Sequence, residues 1–197
     1  MRLLSFKIPE PVAGAVLPEM AGIVGPEEAA RRYRATVVTT LRQLRGLADA
    51  RLRLVVEPGD ADEAVRFWLL PRLADSWQQR DGVFQSSGWE IDFGGTSDAF
   101  DAHARGEILC PWLGARWVHA ALLGLGSTAS EVHGQASNGG IYFHAKSLKP
   151  HHDAEPRLLP EVPVIRSVED WDEALASALG AALKKAWEEE GKSLFSS

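Results

Sequence analysis

Cysteine is almost absent from this chain: of 197 residues only Cys110 is one. No intrachain disulfide can form, so the fold must rest on a packed core, and the usage fits a reducing compartment. A basic excess is missing too. Lys and Arg number 21 against 27 Asp and Glu, a formal net charge of −6, which is the wrong sign for a nucleic-acid-binding face. Arg31, Arg32, Arg34, Arg42 and Arg45 do cluster, but at helical spacing they make a solvated face. No apolar run approaches the roughly 20 residues of a membrane span. The apolar start is interrupted by Lys7 and Pro9, too soon for a signal peptide, so a cytoplasmic location is expected.

What is present is globular material. Hydrophobic residues make up 45% and charged residues 24%, which excludes disorder as the overall state. The length supports one sizeable core. Neither repeat nor linker divides it, so one α/β domain over 1–197 is expected.

Leu3 to Ile8 reads as a first buried strand and Pro9 to Gly25 as a loop. Gly25-Pro26-Glu27-Glu28 opens a helix, with Pro suited to its first position and the acids to its positive end. Ala30, Tyr33, Val37, Leu41 and Leu44 form its apolar stripe. Arg51 to Val56 predicts a strand stopped by Pro58-Gly59, and Asp62 to Leu70 a helix stopped by Pro71. Val83 to Gln85 predicts a strand, Ser97 to Ala104 a helix, Glu107 to Leu109 a strand and Gly114 to Leu123 a helix. Two strands, Glu131 to Gly134 and Ile141 to Ala145, flank the tight-turn signal Asn138-Gly139. Ser167 and Asp170 form a capping box for a last helix, whose stripe Trp171, Leu175, Leu179, Leu183 and Trp187 ends near Gly191. Strands alternating with helices predict a three-layer α/β sandwich with a mostly parallel sheet.

Six short segments carry a resemblance. They are Lys7-Ile8-Pro9-Glu10-Pro11, then Gly25-Pro26-Glu27-Glu28-Ala29-Ala30, Asp92-Phe93-Gly94-Gly95-Thr96-Ser97 and Leu109-Cys110-Pro111-Trp112-Leu113. Gly134 to Tyr142, containing Asn138-Gly139-Gly140, and Leu159 to Trp171 complete the series. In this order they resemble a bacterial family of subfamily A glycosyltransferases, relatives of the nucleotide-diphospho-sugar transferases. The family's segments read K-x-P-x-P, G-P-E-x-A, G-D-L-G-E-R-M, D-C-P-x-L, G-P-A-x-D-G-G-Y-Y and L-P-x-x-x-D-V-D. The resemblance implies nucleotide-binding positions at Lys7, Pro9, Asp92, Gly94, Asn138, Gly139 and Gly140. It implies a metal position at Leu109 and Cys110.

The departures fall on the charged residues. Ala13 to Leu17 stands where the family has K-T-R, Gly95-Thr96 where it has E-R, and Leu109 where it has the metal-binding Asp. Asn138 replaces the Asp of D-G-G, and the D-V-D acids fall around Val164-Ile165-Arg166. Such transferases offset the charge on a departing diphosphate with a divalent cation and basic residues. Mg²⁺ or Mn²⁺ requires hard oxygen ligands, and leucine offers none. The expectation is a glycosyltransferase-like pseudoenzyme acting as a binding or scaffolding subunit, with no cofactor. Its partners would be a second copy or another protein, together with a nucleotide or nucleotide sugar. The rival expectation is an active nucleotide-sugar transferase or nucleotidyltransferase using Mg²⁺ or Mn²⁺ on relocated acids: Asp92, Asp98 or Asp101. An acid near the end of the 107–109 strand discriminates the two.

Other candidates have plainer readings beside them. Cys110 as a nucleophile competes with a buried structural thiol. His133, His144, His151 and His152 as metal ligands match no zinc spacing and compete with surface imidazoles. Leu109 is expected at the carboxyl end of a central strand, covered by Phe93, Trp112 or Trp117. Trp112 and Trp117 are read as filling the vacated nucleotide space or serving an interface.

Overall fold

In the computed structural model, which describes residues 1–48, 50–94 and 100–193, the first strand sets the register for much of the sheet. β1 (Arg2–Pro9) alternates, placing Leu4, Phe6 and Ile8 in the core and Ser5 and Lys7 on the more exposed face. It pairs in parallel with β2 (Ala50–Glu57) on one side and β6 (Ala102–Gly106) on the other. β3 (Gln78–Arg80), β4 (Val83–Ser86) and β5 (Trp89–Asp92) extend the sheet beyond β2. β7 (Ala129–Ala136), β8 (Ile141–Ser147) and β9 (Glu155–Val162) extend it beyond β6, giving the order β3-β4-β5-β2-β1-β6-β8-β7-β9. Only β4 and β8 run against the others. The expected mostly parallel α/β sheet is therefore present.

The register lines up two useful rows. Leu54, Phe6, Gly106 and Phe143 follow one another across the core face. Gly106 is required there, because a Cβ would lie 2.3 Å from the Phe6 ring and 2.8 Å from Leu113. On the opposite face the row runs Asp92, Arg53, Ser5, Arg105, His144, His133.

The helices are α1 (Pro18–Val24), α2 (Pro26–Gln43), α3 (Asp62–Leu73), α4 (Ala115–Leu122), α5 (Val168–Ala176) and α6 (Gly180–Ser193). α2 is the hub and packs on α1, α3 and α6. All five residues of its expected stripe are buried. The Tyr33 hydroxyl donates to the Pro9 carbonyl at 3.0 Å and Arg34 donates to Pro11 at 3.0 Å, tying α2 to the carboxyl end of β1. Among the described residues no helix is long and apolar enough to cross a membrane.

Several expectations need correction. The segment from Pro9 to Gly25 contains α1, anchored by buried Val16, Leu17 and Met20. Pro71 does not stop α3, which continues to Leu73. The bond that Pro71 cannot donate would have gone to the carbonyl of Phe67, an exposed residue on the solvent side of the helix. The expected helix from Ser97 ends in error: 97–99 lie outside the described residues, and Ala102–Gly106 is strand β6. The strand expected at Glu107 to Leu109 is a turn following it. Small residues on its core side, Ala102, Ala104 and Gly106, disguised β6, because they leave little apolar signal. The last stripe belongs to two helices. Ser177 is extended and its hydroxyl accepts the Leu179 N–H at 3.1 Å, and Gly180 approaches Leu175 so closely that a Cβ would sit 1.9 Å from its carbonyl oxygen. β3, β5 and β9 were not anticipated. β9 carries Pro156 and Pro160, tolerated because it is the sheet edge. Asn138-Gly139 does connect neighbouring antiparallel strands, and the Ser167–Asp170 capping box is formed.

Candidate functional site

The parallel strands β1 and β6 end beside the start of antiparallel β8, and the gap above them is a cavity of about 270 Å³. Lys7, Arg105, Gly106, Glu107, Ile141, Tyr142 and His144 line it. Lys7 and Arg105 reach it because their strands alternate and both occupy the exposed face. Glu107 is the residue directly after β6, held by its N–H to the Tyr142 carbonyl at 2.8 Å. One Glu107 carboxylate oxygen accepts the Leu109 N–H at 3.4 Å. Lys7 is ion-paired to Glu57 at 2.7 Å, with both side chains about half exposed. Tyr142 donates to the Pro160 carbonyl at 2.8 Å, and burial pushes its hydroxyl up to about 12. From Arg105 and His144 a groove continues over the sheet face past Ser5, Val55, His103 and Lys146. Open α/β sheets bind ligands at the carboxyl ends of their strands, so this is the candidate site.

The residues expected from sequence are only partly gathered here. Lys7 lines the cavity. Pro9 contributes its carbonyl to Tyr33 instead. Leu109 lies three residues beyond β6, in the turn, half-buried against the core, with its carbonyl accepting the Ile165 N–H at 2.9 Å. It is therefore not the last residue of a central strand. Phe93, Trp112 and Trp117 are likewise half-buried against the core. Asn138 is a bracket: its amide nitrogen donates to Val164 at 2.6 Å and Asp170 at 2.9 Å, and its oxygen accepts the Val164 N–H at 3.1 Å. Gly139 and Gly140 have φ of 96° and 85°, which favours glycine. Burial would raise the Asp170 carboxyl, but the Arg166 and Ser167 N–H groups and Asn138 outweigh it and hold the group below its ordinary range.

Of the relocated acids, Asp92 and Asp101 do not converge. Asp92 is buried and chelated by Arg53, with Gly94 just beyond it. Asp98 is outside the described residues. Asp101 pairs with the Met1 ammonium at the amino end of β1, the wrong end of the sheet. The acid at the site is Glu107, which sequence reasoning treated as a strand residue. Its signal was the alternation of Ala102, Ala104 and Gly106, which ends one residue before it. Residues 13–17 comprise exposed Ala13, Gly14 and Ala15 and buried Val16 and Leu17, so this stretch presents no charge. His133 and His144 meet across β7 and β8, whereas His151 and His152 lie apart with Asp153.

Known structures share this architecture. A protein of Desulfovibrio desulfuricans assigned as a nucleotide-diphospho-sugar transferase superposes with a TM-score of 0.65, at 19% identity over 96% of this chain and 97% of that one. The 4-diphosphocytidyl-2C-methyl-D-erythritol synthase of Anaerococcus prevotii superposes at 0.50, with 11% identity over 89% and 95%. The likeness is one of fold. No protein-family profile matches the sequence, and no curated protein matches it.

Cys110 is fully buried, and burial pushes its thiol up to about 12. A buried thiol held in its protonated form is a poor nucleophile, which favours the structural reading of Cys110. Iodoacetamide should label Cys110 at least about 100-fold more slowly in the native protein than in urea, since labelling awaits opening of the fold. Equal rates in both conditions would show the thiol to be accessible.

Proposed function

We propose that this chain is a nucleotide-sugar transferase-like protein that binds a phosphorylated ligand without metal-dependent transfer, serving as a binding subunit. One observation carries the reading: among the described residues, Glu107 is the sole carboxylate lining the cavity at the end of β6. Leu109 has no oxygen to offer a cation, and the Asn138 amide is committed to Val164 and Asp170. These residues do not fit a Mg²⁺ or Mn²⁺ site, which needs several hard oxygen donors. Lys7 and Arg105 supply positive charge for a phosphate. Among the described residues no carboxylate pairs with Arg105. The cavity is below the usual size of about 300–1,000 Å³, so a nucleotide or nucleotide sugar would extend along the groove. A binding role also implies a second copy or another protein to act upon.

The rival reading, an active transferase or nucleotidyltransferase, is left with Glu107 as its acid. Thermal melts separate the two. A nucleoside diphosphate at 100 times its dissociation constant stabilises by about 2.7 kcal/mol. The expected result is that Mn²⁺ adds nothing to whatever shift the nucleotide produces alone, and that Arg105→Ala removes that shift. Leu109→Asp should lower the melting temperature, because a carboxylate replaces an apolar contact, and Mn²⁺ should not restore it. A nucleotide shift that appears only with Mn²⁺ would overturn the reading.

A further inference from the structure

β7 and β8 assemble three donors that the sequence keeps apart. In their antiparallel register His133 lies opposite His144, and Glu131 lies opposite Lys146. Residues opposite one another and two apart along a strand share a face, so Glu131, His133 and His144 converge. The two imidazoles stack with centroids 4.7 Å apart and 24° between planes. One Glu131 carboxylate oxygen is 3.0 Å from His133 Nε2 and 3.7 Å from His144 Nε2. Lys146 holds the other oxygen at 2.9 Å, which orients the carboxylate. One donor atom from each of the three residues lies within 4.8 Å of the other two. His144 Nε2 is buried without a hydrogen-bond partner, an unusual state for a polar atom and one that a metal ion would relieve.

We propose that Glu131, His133 and His144 form a site for a divalent transition metal of the zinc type. Bonds of about 2.0–2.2 Å in a tetrahedral site put donors about 3.3 Å apart, and the two distances to the carboxylate oxygen straddle that value. Two imidazoles and one carboxylate favour Zn²⁺ over Mg²⁺ or Mn²⁺, which prefer all-oxygen sets. Three protein donors leave a fourth position for water or a ligand oxygen. His144 lines both the cavity and the groove, so that position is reachable from the site where a phosphorylated ligand would lie. The location, on β7 and β8 toward the β9 edge of the sheet, and the nitrogen donors set it apart from position 109.

Zn²⁺ titration of the full chain against a chromophoric chelator tests this. The expected result is one equivalent bound through these residues, with His133→Ala and His144→Ala each weakening binding at least about tenfold, as losing a metal-site partner does. Glu131→Gln keeps the shape and should weaken binding similarly if either alanine variant fails to fold. Co²⁺ should give visible tetrahedral absorption that the His144→Ala variant lacks. His151→Gln with His152→Gln should change nothing. The proposal is overturned by no bound Zn²⁺ in about tenfold molar excess, by binding that survives the His133→Ala, His144→Ala double variant, or by loss in the His151, His152 variant instead.

Discussion

Asp92→Asn is expected to destabilise the protein by about 3–5 kcal/mol, the cost of breaking a buried ion pair from one side. Arg53 Nε reaches one Asp92 oxygen at 2.6 Å and Nη2 reaches the other at 3.1 Å, a bidentate pair. The residues are directly opposite in the β2–β5 register and are 7% and 4% exposed. That burial places the pair well outside the weak, solvent-screened class of surface bridges. The guanidinium also lies 5.8 Å from the Phe100 ring, so it cannot swing out to water without losing packing. A chain of this length loses about 2–4 °C of melting temperature per kcal/mol, so a fall of roughly 10 °C is expected. The double change Arg53→Met with Asp92→Leu should restore most of it, since a buried pair replaced on both sides costs little. The result bears on function as well as stability. An Asp92→Asn protein as stable as the parent would release Asp92 from its structural role and return it to the list of ligand-binding acids.

Glu190→Ala should have an effect of similar size, about 3–5 kcal/mol. Glu190 is 2% exposed on α6, where it accepts from Arg34 of α2 at 3.0 Å, from the Trp68 indole of α3 at 3.3 Å, and from Arg72 of α3. One carboxylate thus joins three helices. Its removal leaves two guanidinium groups and an indole N–H without that acceptor, and each must find another or remain unpaired. Glu190→Gln keeps an acceptor oxygen but not the charge, so a smaller loss is expected. None of these residues lines the cavity above β6, and ligand shifts should persist in Glu190→Gln. Amide exchange should accelerate in α6 first, because α6 loses its tie to α2 and α3. Unchanged melting in Glu190→Ala would mean that α6 is held by its apolar contacts alone.

Local patterns reported much of the architecture. The apolar run Leu3 to Ile8, the Pro26 helix start, the Asn138-Gly139 turn and the Ser167–Asp170 cap each depend on neighbours within a few residues, and the element each predicts is present in the structure. The α/β class with a mostly parallel sheet followed from them. What misled was also local. The stripe from Trp171 to Trp187 keeps a helical period through a break that Ser177 and Gly180 impose. β6 looks unlike a strand because its core side is Ala102, Ala104 and Gly106, and Gly106 is needed only because Phe6 and Leu113 fill the space above it.

The sequence by itself determined the absence of intrachain disulfides, the acidic balance, the apolar faces and the uncharged side chains at positions 13–17, 109 and 138. Those properties belong to residue types and short spacings, which any strand or helix expresses in the same way. Only the tertiary structure decided which polar groups are spoken for. Asp92 is taken by Arg53 from β2, Asn138 by Val164 and Asp170, and Glu190 by two other helices. It also decided that Glu107, Lys7 and Arg105 share one cavity and that Glu131, His133 and His144 share one face. The physical reason is sheet register. Hydrogen bonding between strands fixes which distant residues stand side by side, and the alternating pleat fixes which face they share.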